Sequence, residues 1–207
     1  MTMKSGEAKK VEMAKILHKI DALKFGLFKL TSGKVSPYYI DLRIVPSFPD
    51  AFRQICDFYG EYLTSQVGLK NFDRIAGVPI AGIPFASQIA YNLGKPFLYV
   101  RKGVRLHGRQ RRVEGILVSG DRVLLIDDLV TTGLSLKKAA EAITAEGGVV
   151  KEAVALLDRE EGGKERLAKN GIQLQPLLRI SEVANTLYEI GALDKENLKT
   201  ILKQIRR

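Results

Sequence analysis

Four short apolar runs constrain the fold of this chain more than any other sequence feature. They are four to nine residues long, are rich in Val, Ile and Leu, and occupy residues 74–78, 97–100, 122–126 and 149–157. Segments with the apolar spacing of helices separate them. Strands read as continuous apolar runs when helices cover both faces of a parallel sheet. We therefore predict an α/β fold, a doubly wound and mainly parallel sheet with helices on both faces.

The length and composition indicate one globular domain. The 207 residues are 45% hydrophobic and 27% charged, which is enough apolar sequence for a full core. We expect a single domain over residues 1–207, because no internal repeat, low-complexity segment or long linker divides the chain. The C-terminal third reads as a helix, a strand and two further helices, typical of edge packing or an oligomer surface.

Local patterns predict the ends and faces of the other elements. Apolar residues spaced by three and four over residues 13–20 predict an amphipathic helix that leaves His18 exposed. Residues 25–43 mix Gly, Ser and Pro with alternating apolar residues, which favours extended chain and turns. Asp50 is expected to cap a helix whose apolar stripe includes Cys56, and Asp194 to cap the last helix. Cys56 is therefore predicted to be a core residue.

The charge balance points to an anionic partner. The chain has 33 Lys and Arg against 23 Asp and Glu, a net charge of +10. A nucleic acid, an acidic membrane surface and a phosphorylated small molecule all fit such a charge. No stretch approaches the roughly 20 apolar residues of a membrane span, and residues 1–16 contain no apolar segment of a secretory signal. We therefore expect a cytoplasmic protein without a membrane partner.

The segment over residues 123–135 has the clearest features of a binding site. Four apolar strand residues precede the adjacent acids Asp127 and Asp128, and a turn with Thr131, Thr132 and Gly133 opens a helix. Backbone N–H groups at a helix N-terminus, together with hydroxyl groups, form a cradle for phosphate. Two carboxylates beside a phosphate would repel it unless they accept hydrogen bonds from neighbouring ribose hydroxyls. The segment therefore predicts a site for a ribose 5-phosphate.

The alternative is an ordinary acidic turn whose threonines cap the next helix. We favour the ligand site because strand, paired acids, hydroxyls, glycine and helix follow in one continuous run. The chain lacks the Gly-x-x-x-x-Gly-Lys-[Ser/Thr] loop, and no Gly-x-Gly-x-x-Gly follows a predicted strand. These absences disfavour NTPases and dinucleotide-dependent oxidoreductases.

Residues 123–135 resemble the signature of the type I phosphoribosyltransferases. Residues 28–43, 101–108 and 157–159 are similar, in the same order, to segments of the orotate phosphoribosyltransferases. The resemblance implies the type I fold, with a small hood built from both ends of the chain, about residues 1–45 at the N-terminus, and a core over about residues 46–160. It also implies an enzyme of pyrimidine biosynthesis. Such an enzyme transfers ribose 5-phosphate from 5-phosphoribosyl-1-pyrophosphate (PRPP) to orotate, giving orotidine 5′-phosphate and pyrophosphate.

The resemblance also assigns roles to individual residues. The implied PRPP contacts are Thr31, Ile80, Ala81, Arg101, Lys102, Arg105, His107, Asp127, Asp128, Leu129, Val130, Thr131, Thr132, Gly133, Leu134 and Ser135. The implied catalytic residues are Lys102, Arg105, His107, Asp127 and Asp128. The implied orotate contacts are Tyr39, Ile40, Thr131 and Arg159. Without the resemblance, an ion pair of Arg159 with Asp158 or Glu160 is the alternative to a carboxylate contact.

A mobile loop, a metal ion and a dimer follow from the same resemblance. The basic segment that contains Arg101 and His107 corresponds to a lid that closes over the pyrophosphate and reaches the neighbouring subunit, which implies a homodimer. The alternatives for this segment are a solvated charged loop and a nucleic-acid contact, although aromatic residues that stack on bases are absent from it. Magnesium is expected to arrive with the substrate, and no metal cage made by the protein is expected.

Three positions depart from the family pattern. Thr31 and Ala81 stand where well-known bacterial relatives have lysine, and Arg105 also replaces a lysine. Two charges that hold the substrate are therefore missing. Backbone amides of the turn at residues 77–82, which contains a non-proline cis bond in some relatives, are expected to bind pyrophosphate oxygens instead.

Two other functions remain open from the sequence. One is a phosphoribosyltransferase for another base, which Arg159 distinguishes because a neutral base needs no cation. The other is a regulator that senses PRPP and binds nucleic acid through its basic surface. Such regulators usually carry a DNA-reading helix pair or an RNA-stacking surface, and the first 25 residues hold only one predicted helix.

Overall fold

The computed structural model describes residues 3–29, 35–103 and 111–205. Packing of the backbone divides the chain into two compact units, Met1–Ile55 with Leu178–Arg207, and Cys56–Leu177. The first unit therefore combines both ends of the chain, and its N-terminal piece extends beyond the hood expected at about residues 1–45. The single-domain organisation over residues 1–207 stays a prediction.

The described elements alternate between strands and helices through most of the chain. A 3₁₀ turn at Leu42–Ser47 precedes α2, and a π-helical turn at Leu63–Val67 follows it. The helices and strands are, in order, α1 (Met3–Lys19), β1 (Leu23–Lys29), β2 (Val35–Ile40), α2 (Pro49–Tyr62), β3 (Arg74–Gly77), α3 (Gly82–Asn92), β4 (Phe97–Val100), β5 (Val113–Glu114), β6 (Val123–Val130), α4 (Leu134–Ala145), β7 (Glu152–Asp158), α5 (Gly163–Ala168), β8 (Gln173–Arg179), α6 (Ile180–Glu189) and α7 (Lys195–Ile205).

A six-stranded sheet organises the second unit, in the order β5-β4-β3-β6-β7-β8. The pairs β3–β4, β3–β6 and β6–β7 are parallel. Strand β5 pairs antiparallel with β4 at one edge. The predicted α/β fold with a mainly parallel sheet is confirmed. Strand β5 was not predicted, because two residues are too short to form an apolar run.

The sheet is buried on both of its faces. Leu125 of β6 and Ala155 of β7 belong to one apolar cluster with Leu136, Ala139 and Ile143 of α4. Successive residues of a strand point to opposite faces, so Leu124 and Ile126 face the other side, where they are also buried. Both faces are therefore covered, and this burial explains why the strands read as continuous apolar runs.

The first unit contains the antiparallel pair β1–β2. The extended chain predicted over residues 25–43 is confirmed in these two strands, and a 3₁₀ turn follows them. Helix α1 is longer than predicted and packs against α6, where the ammonium of Lys10 lies 2.8 Å from the Glu182 carboxylate. The cap at Asp194 is confirmed, because its carboxylate accepts a hydrogen bond from the N–H of Asn197 at 2.8 Å.

Two predictions about side chains in this unit were wrong. Asp50 is not the cap of α2, because that helix already begins at Pro49, and the Asp50 carboxylate accepts a hydrogen bond from Arg53 at 2.6 Å. His18 is half-buried rather than exposed, because its ring lies 6.4 Å from that of Phe25.

Two other observations concern burial in the described part of the chain. Cys56 is completely buried, as predicted, and burial raises the pKa of its thiol to about 12. Among the helices of the described residues, none combines the length and the apolar character that crossing a bilayer requires.

Candidate functional site

The acidic pair lies inside β6, which continues beyond residue 126, where the predicted apolar strand ends. Pairing with β7 continues to the register pair Val130 and Asp158, so Asp127 and Asp128 are strand residues. Pairing with β3 ends earlier, at Gly77 and Ile126. The acids therefore occupy the stretch of β6 that extends beyond β3, at the carboxyl edge of the sheet where α/β folds bind their ligands.

Burial makes this acidic pair electrostatically strained. The side chains are almost fully buried, with 6% of Asp127 and 9% of Asp128 exposed. Removal from water, and then the neighbouring charge of Asp128, hold the pKa of Asp127 well above its usual range. Strongly perturbed pKa values of this origin cluster at functional sites, so the pair is a candidate for ligand binding.

Two hydrogen bonds fix the backbone between the acids. The N–H of Asp128 donates to Oδ1 of Asp127 at 3.0 Å. The hydroxyl of Tyr59, from α2, donates to the backbone oxygen of Asp127 at 2.7 Å. Sequence reasoning missed this contact, because Tyr59 is one member of an apolar helix stripe and its spacing gives no sign of a polar partner.

A cavity of about 300 Å³ adjoins the acids at the start of α4. It is lined by Asp127 and by residues 129–136, which are the predicted phosphate-binding segment. Gly133 precedes the helix with a φ of 73°, and a Cβ there would meet the backbone oxygen of Gly163 at 3.0 Å. Glycine is therefore required by both the backbone conformation and the close approach of α5.

The polar groups of this cavity match the predicted cradle. Thr131 is half-buried, and Thr132 and Ser135 are exposed. The first N–H groups of α4 have no partners within the helix, and they point toward an incoming ligand. Hydroxyls and amides at a helix N-terminus suit a phosphate. The structure thus brings the buried acids and the phosphate cradle into one continuous segment.

The turn after β3 lies beside the acidic pair. Its Pro79–Ile80 peptide bond is cis, and Ile80 is 67% exposed. Ala81 immediately precedes α3, which begins at Gly82. A Cβ on Gly82 would meet the backbone oxygen of Ile126 at 2.7 Å and Oδ1 of Asp127 at 2.9 Å. Glycine at this position lets the N-terminus of α3 approach Asp127.

Arg159 follows β7 at the same edge of the sheet. Its N–H donates to the backbone oxygen of Val130 at 2.9 Å, which joins the ends of β6 and β7. The side chain is 13% exposed, and its Nη2 lies 2.7 Å from Oε1 of Glu161. An ion pair with the adjacent Asp158 or Glu160 was the alternative for Arg159, and the ion pair seen here is with Glu161, one residue further along the chain.

The two ends of the basic loop are held together by backbone and side-chain contacts. The N–H of Arg101 donates to the backbone oxygen of Arg112 at 2.8 Å. Oε1 of Glu146, which follows α4, accepts hydrogen bonds from the N–H groups of Arg112 and Val113 at 2.9 and 3.0 Å. Glu146 has no recognisable signal in the sequence, since it is one acid among several near a helix end.

Only some of the residues predicted to contact pyrophosphate lie in the described part of the chain. The guanidinium of Arg101 is about one-third exposed and lies 3.4 Å from the carboxylate of Glu114, and Lys102 is exposed. Arg105 and His107, as well as Thr31, lie outside the described residues. Nothing in the described part of the chain tests their predicted roles.

The predicted ring contacts Tyr39 and Ile40 lie on β2 of the first unit. Tyr39 is 38% exposed, and its ring centre is 5.8 Å from that of Phe28. Its hydroxyl is 3.4 Å from Nη2 of Arg43. Ile40 is half-buried. Their role in binding a base stays a prediction.

The described residues do not form a metal cage. No group of three or more His, Cys, Asp or Glu side chains among residues 3–29, 35–103 and 111–205 is placed to hold a metal ion.

Comparison with known proteins gives a consistent result. Residues 53–186 match the family of the phosphoribosyl transferase domain. An orotate phosphoribosyltransferase of Cenarchaeum symbiosum (strain A) is 42% identical over 185 residues, which cover 89% of this chain and 92% of that protein.

Solved structures agree with these sequence relatives. The crystal structure of orotate phosphoribosyltransferase from Aeropyrum pernix has a TM-score of 0.76 at 34% identity, over 88% of this chain and 99% of that one. Leishmania donovani UMP synthase has a TM-score of 0.83 at 33% identity over 95% of this chain, which spans 42% of that longer protein. The shared fold, the paired acids before a hydroxyl-rich helix start and these similarities together establish that the chain belongs to the orotate phosphoribosyltransferase family.

Proposed function

We propose that the protein is an orotate phosphoribosyltransferase of pyrimidine biosynthesis. It transfers the ribose 5-phosphate of PRPP to a ring nitrogen of orotate and releases pyrophosphate. The bond between ribose C1 and the pyrophosphate oxygen breaks, the pyrophosphate keeps the electron pair, and a C1–N bond forms. The observation that carries this proposal is the buried pair Asp127 and Asp128, which continues directly into the hydroxyl-lined cavity at the start of α4.

The sugar phosphate is assigned to this segment. Asp127 and Asp128 accept hydrogen bonds from two ribose hydroxyls, and their positions in a paired strand fix their orientation. The phosphate binds the N–H groups and hydroxyls of residues 129–135. Positive charge grows on the ribose as pyrophosphate leaves, so nearby carboxylates stabilise the transition state more than the ground state.

The leaving pyrophosphate is assigned to two elements. Backbone amides of the turn with Ile80 and Ala81 bind its oxygens, in place of the lysine that this position lacks. Arg101, Lys102 and Arg105 supply cations from the loop, and His107 donates a proton to the departing group. Thr31 adds a hydroxyl contact without a charge.

Orotate is assigned to Arg159 and to residues of the hood. The Arg159 guanidinium binds the orotate carboxylate, for which Glu161 substitutes while the base is absent. Tyr39 and Ile40 contact the ring, and Thr131 adds a polar contact. The carboxylate of Glu161 keeps the half-buried cation paired until orotate arrives.

Magnesium is proposed as an ion carried by the substrate. Oxygens of PRPP would supply its ligands, and the ion would lower the charge that the loop cations must neutralise.

A homodimer and a cytoplasmic location complete the proposal. The dimer is proposed because the basic loop of one subunit would reach the site of the other. Cytoplasmic location is proposed because orotate and PRPP, the substrates assigned to this site, are phosphorylated or acidic metabolites that do not cross membranes unaided. No nucleic acid is required for either assignment.

The decisive experiment measures base choice. Purified protein with PRPP and magnesium should consume orotate, followed by loss of its absorbance, and should leave uracil and adenine unchanged. The Arg159→Ala variant should lose about a hundredfold in kcat/KM for orotate, because the carboxylate loses a charge-assisted bidentate contact. The matched control is Arg53→Ala, which removes an exposed ion pair with Asp50 and should change kcat/KM less than twofold.

The other outcomes separate the alternatives. Turnover of adenine or uracil without orotate would identify a transferase for another base. Tight and steeply salt-dependent binding of a nucleic acid, without turnover of any base, would identify a regulator instead.

A further inference from the structure

One peptide group joins the two buried acids, and it is held at both ends. Its carbonyl oxygen, that of Asp127, accepts the hydroxyl of Tyr59 at 2.7 Å. Its N–H, that of Asp128, donates to the carboxylate oxygen Oδ1 of Asp127 at 3.0 Å. The order of groups is therefore phenol O–H, peptide carbonyl, peptide N–H and carboxylate.

Such a chain of hydrogen bonds transmits polarisation. A donor on the carbonyl oxygen draws electron density away from the peptide nitrogen and makes its N–H a stronger donor. The low dielectric of a buried site increases this effect. The hydroxyl of Tyr59 therefore strengthens the hydrogen bond that orients the Asp127 carboxylate, although it does not touch that carboxylate.

The surroundings of Tyr59 keep this donor fixed and neutral. The residue is completely buried, and its ring lies 6.3 Å from that of Phe85 of α3 at a tilt of 42°. Burial, followed by the charges of Asp128 and Asp127, raises the pKa of its phenol well above the usual value. The raised pKa favours the protonated phenol, whose O–H donates to the backbone oxygen of Asp127.

We propose that Tyr59 is a positioning residue of the transferase reaction. Through the peptide between Asp127 and Asp128, it holds the Asp127 carboxylate in the orientation that accepts a ribose hydroxyl. The proposal deepens the assignment of the ribose site and rests on the proposed function. Tyr59 lies on α2, 68 residues before Asp127 and outside the family signature at residues 123–135.

The groups around Asp127 are few. Asp128 is its charged neighbour on β6, Tyr59 is the titratable group from α2, and the register partner on β7 is Ala155. The first turn of α3 contains no acidic residue and begins at Gly82. Cys56 of α2, which acts on Tyr59, has a pKa raised to about 12 by burial and is neutral.

Two tyrosines on the same helix allow a matched test. Tyr59→Phe removes the donor to Asp127, whereas Tyr62→Phe removes a hydroxyl that donates to Oε1 of Gln175 at 3.0 Å. Both variants lose one hydroxyl and keep the ring. Because the Tyr59 hydroxyl is completely buried and that of Tyr62 only partly, thermal unfolding is measured for both and activity is compared at a temperature at which both are folded.

Activity should separate the two variants. We expect Tyr59→Phe to lose about tenfold in kcat/KM for PRPP, and Tyr62→Phe to stay within about twofold of the unchanged protein. In Tyr59→Phe, the acid limb of the pH profile of kcat/KM should also move to higher pH, because a weaker N–H donor stabilises the Asp127 carboxylate less. All three proteins act on the same substrates, so ionisation of the substrates affects their pH profiles equally and does not alter the comparison.

A purely structural role for Tyr59 would give a different result. Equal loss of kcat/KM in both variants, or an unmoved acid limb in Tyr59→Phe, overturns the proposal. If the unchanged protein transfers no ribose phosphate to orotate, the proposed function is wrong. The role of Tyr59 in orienting Asp127 must then be tested without kinetics.

A measurement without substrate covers that case. The Asp127 carboxyl is titrated by ¹³C NMR in the unliganded protein, with Asp127→Asn used to assign its signal. Tyr59→Phe should raise this pKa relative to Tyr62→Phe, and equal values overturn the proposal. Should Tyr59→Phe fail to fold, 3-fluorotyrosine at position 59, a stronger hydrogen-bond donor, should lower the same pKa, and an unchanged or raised pKa overturns the proposal.

Discussion

Two neighbouring strands of the sheet, β3 and β6, each lead into a helix at the same edge, but their turns are built differently. The segment of residues 127–135, called the β6 turn, has two buried acids at the end of the strand and three hydroxyl side chains between there and the first turn of α4. The turn after β3, residues 78–82, has no hydroxyl or charged side chain. The N–H of Val78 donates to the backbone oxygen of Ile126 at 3.0 Å. The two turns therefore begin side by side at the edge of the sheet.

The difference indicates two modes of anion and sugar recognition. The β6 turn combines side-chain groups with the amides of α4, so its binding depends on residue identity. The β3 turn has only backbone amides to offer, so its binding depends on position. Substitutions should therefore act on chemistry in the first turn and on geometry in the second.

The largest effect is expected at Asp127. Asp127→Asn keeps the shape but removes the negative charge, and we expect kcat/KM for PRPP to fall at least about a hundredfold. Steady-state rates with varied PRPP would measure the loss. Asp57→Asn, an exposed acid on α2, is the control and should be unchanged. A loss below about threefold for Asp127→Asn would contradict the claim that binding at the β6 turn depends on residue identity.

A methyl group at Gly82 tests whether binding at the β3 turn depends on the position of its backbone. Its Cβ would lie 2.7 Å from the backbone oxygen of Ile126, so Gly82→Ala must displace α3. We expect about a tenfold loss of kcat/KM for PRPP and a lower melting temperature. Gly60→Ala, whose Cβ would lie 3.8 Å from Leu93, is the matched control and should preserve both. Full activity in Gly82→Ala would show that the β3 turn does not depend on position.

The strained charge of the β6 turn should also be visible in stability. Asp127 has an ordinary pKa of 3.8 when unfolded and a higher one when folded. The folded state therefore binds the proton more tightly, and stability declines as pH rises through the folded pKa. Asp127→Asn removes this decline, so we expect it to be more stable by about 1 kcal/mol at neutral pH. The gain should vanish near pH 3, as measured by urea unfolding at both pH values, and a gain that persists there would have another origin.

The smallest effect is expected from adding a charge to the backbone-only turn. Ala81→Lys places at the start of α3 the cation that bacterial relatives have, and KM for PRPP should fall about threefold at low salt. Asn92→Lys adds the same charge at the other end of α3 and should leave KM unchanged. Equal effects of both variants would mean that net charge, rather than the turn, attracts PRPP.

The sequence predicted the β6 turn better than the β3 turn for a physical reason. Paired acids and hydroxyls after an apolar run are visible in sequence, whereas backbone amides and the approach of Gly82 to Asp127 depend on how helices pack. The strand boundary was placed too early, at residue 126, because acids are rare in buried strands and pairing with β7 overrides that tendency. Tyr59 and Glu146 were missed because each contacts a backbone group that is distant in sequence.

The hood shows a similar limit. Alternation over residues 25–43 predicted the extended chain now seen in β1 and β2, and the spacing in α1 predicted a helix, because both patterns are local. The contribution of residues 178–207 to the same unit depends on contacts between α1 and α6, which no local pattern reveals.

That division of the chain dictates an order of events during translation. The ribosome completes residues 56–177 before it makes α6 and α7, so the sheet unit has all of its residues while the other unit still lacks its last two helices. The surface of α1 that later packs against α6 lacks this partner in that interval. Newly made chains therefore pass through a stage in which the N-terminal part of the first unit is complete and its C-terminal part is not.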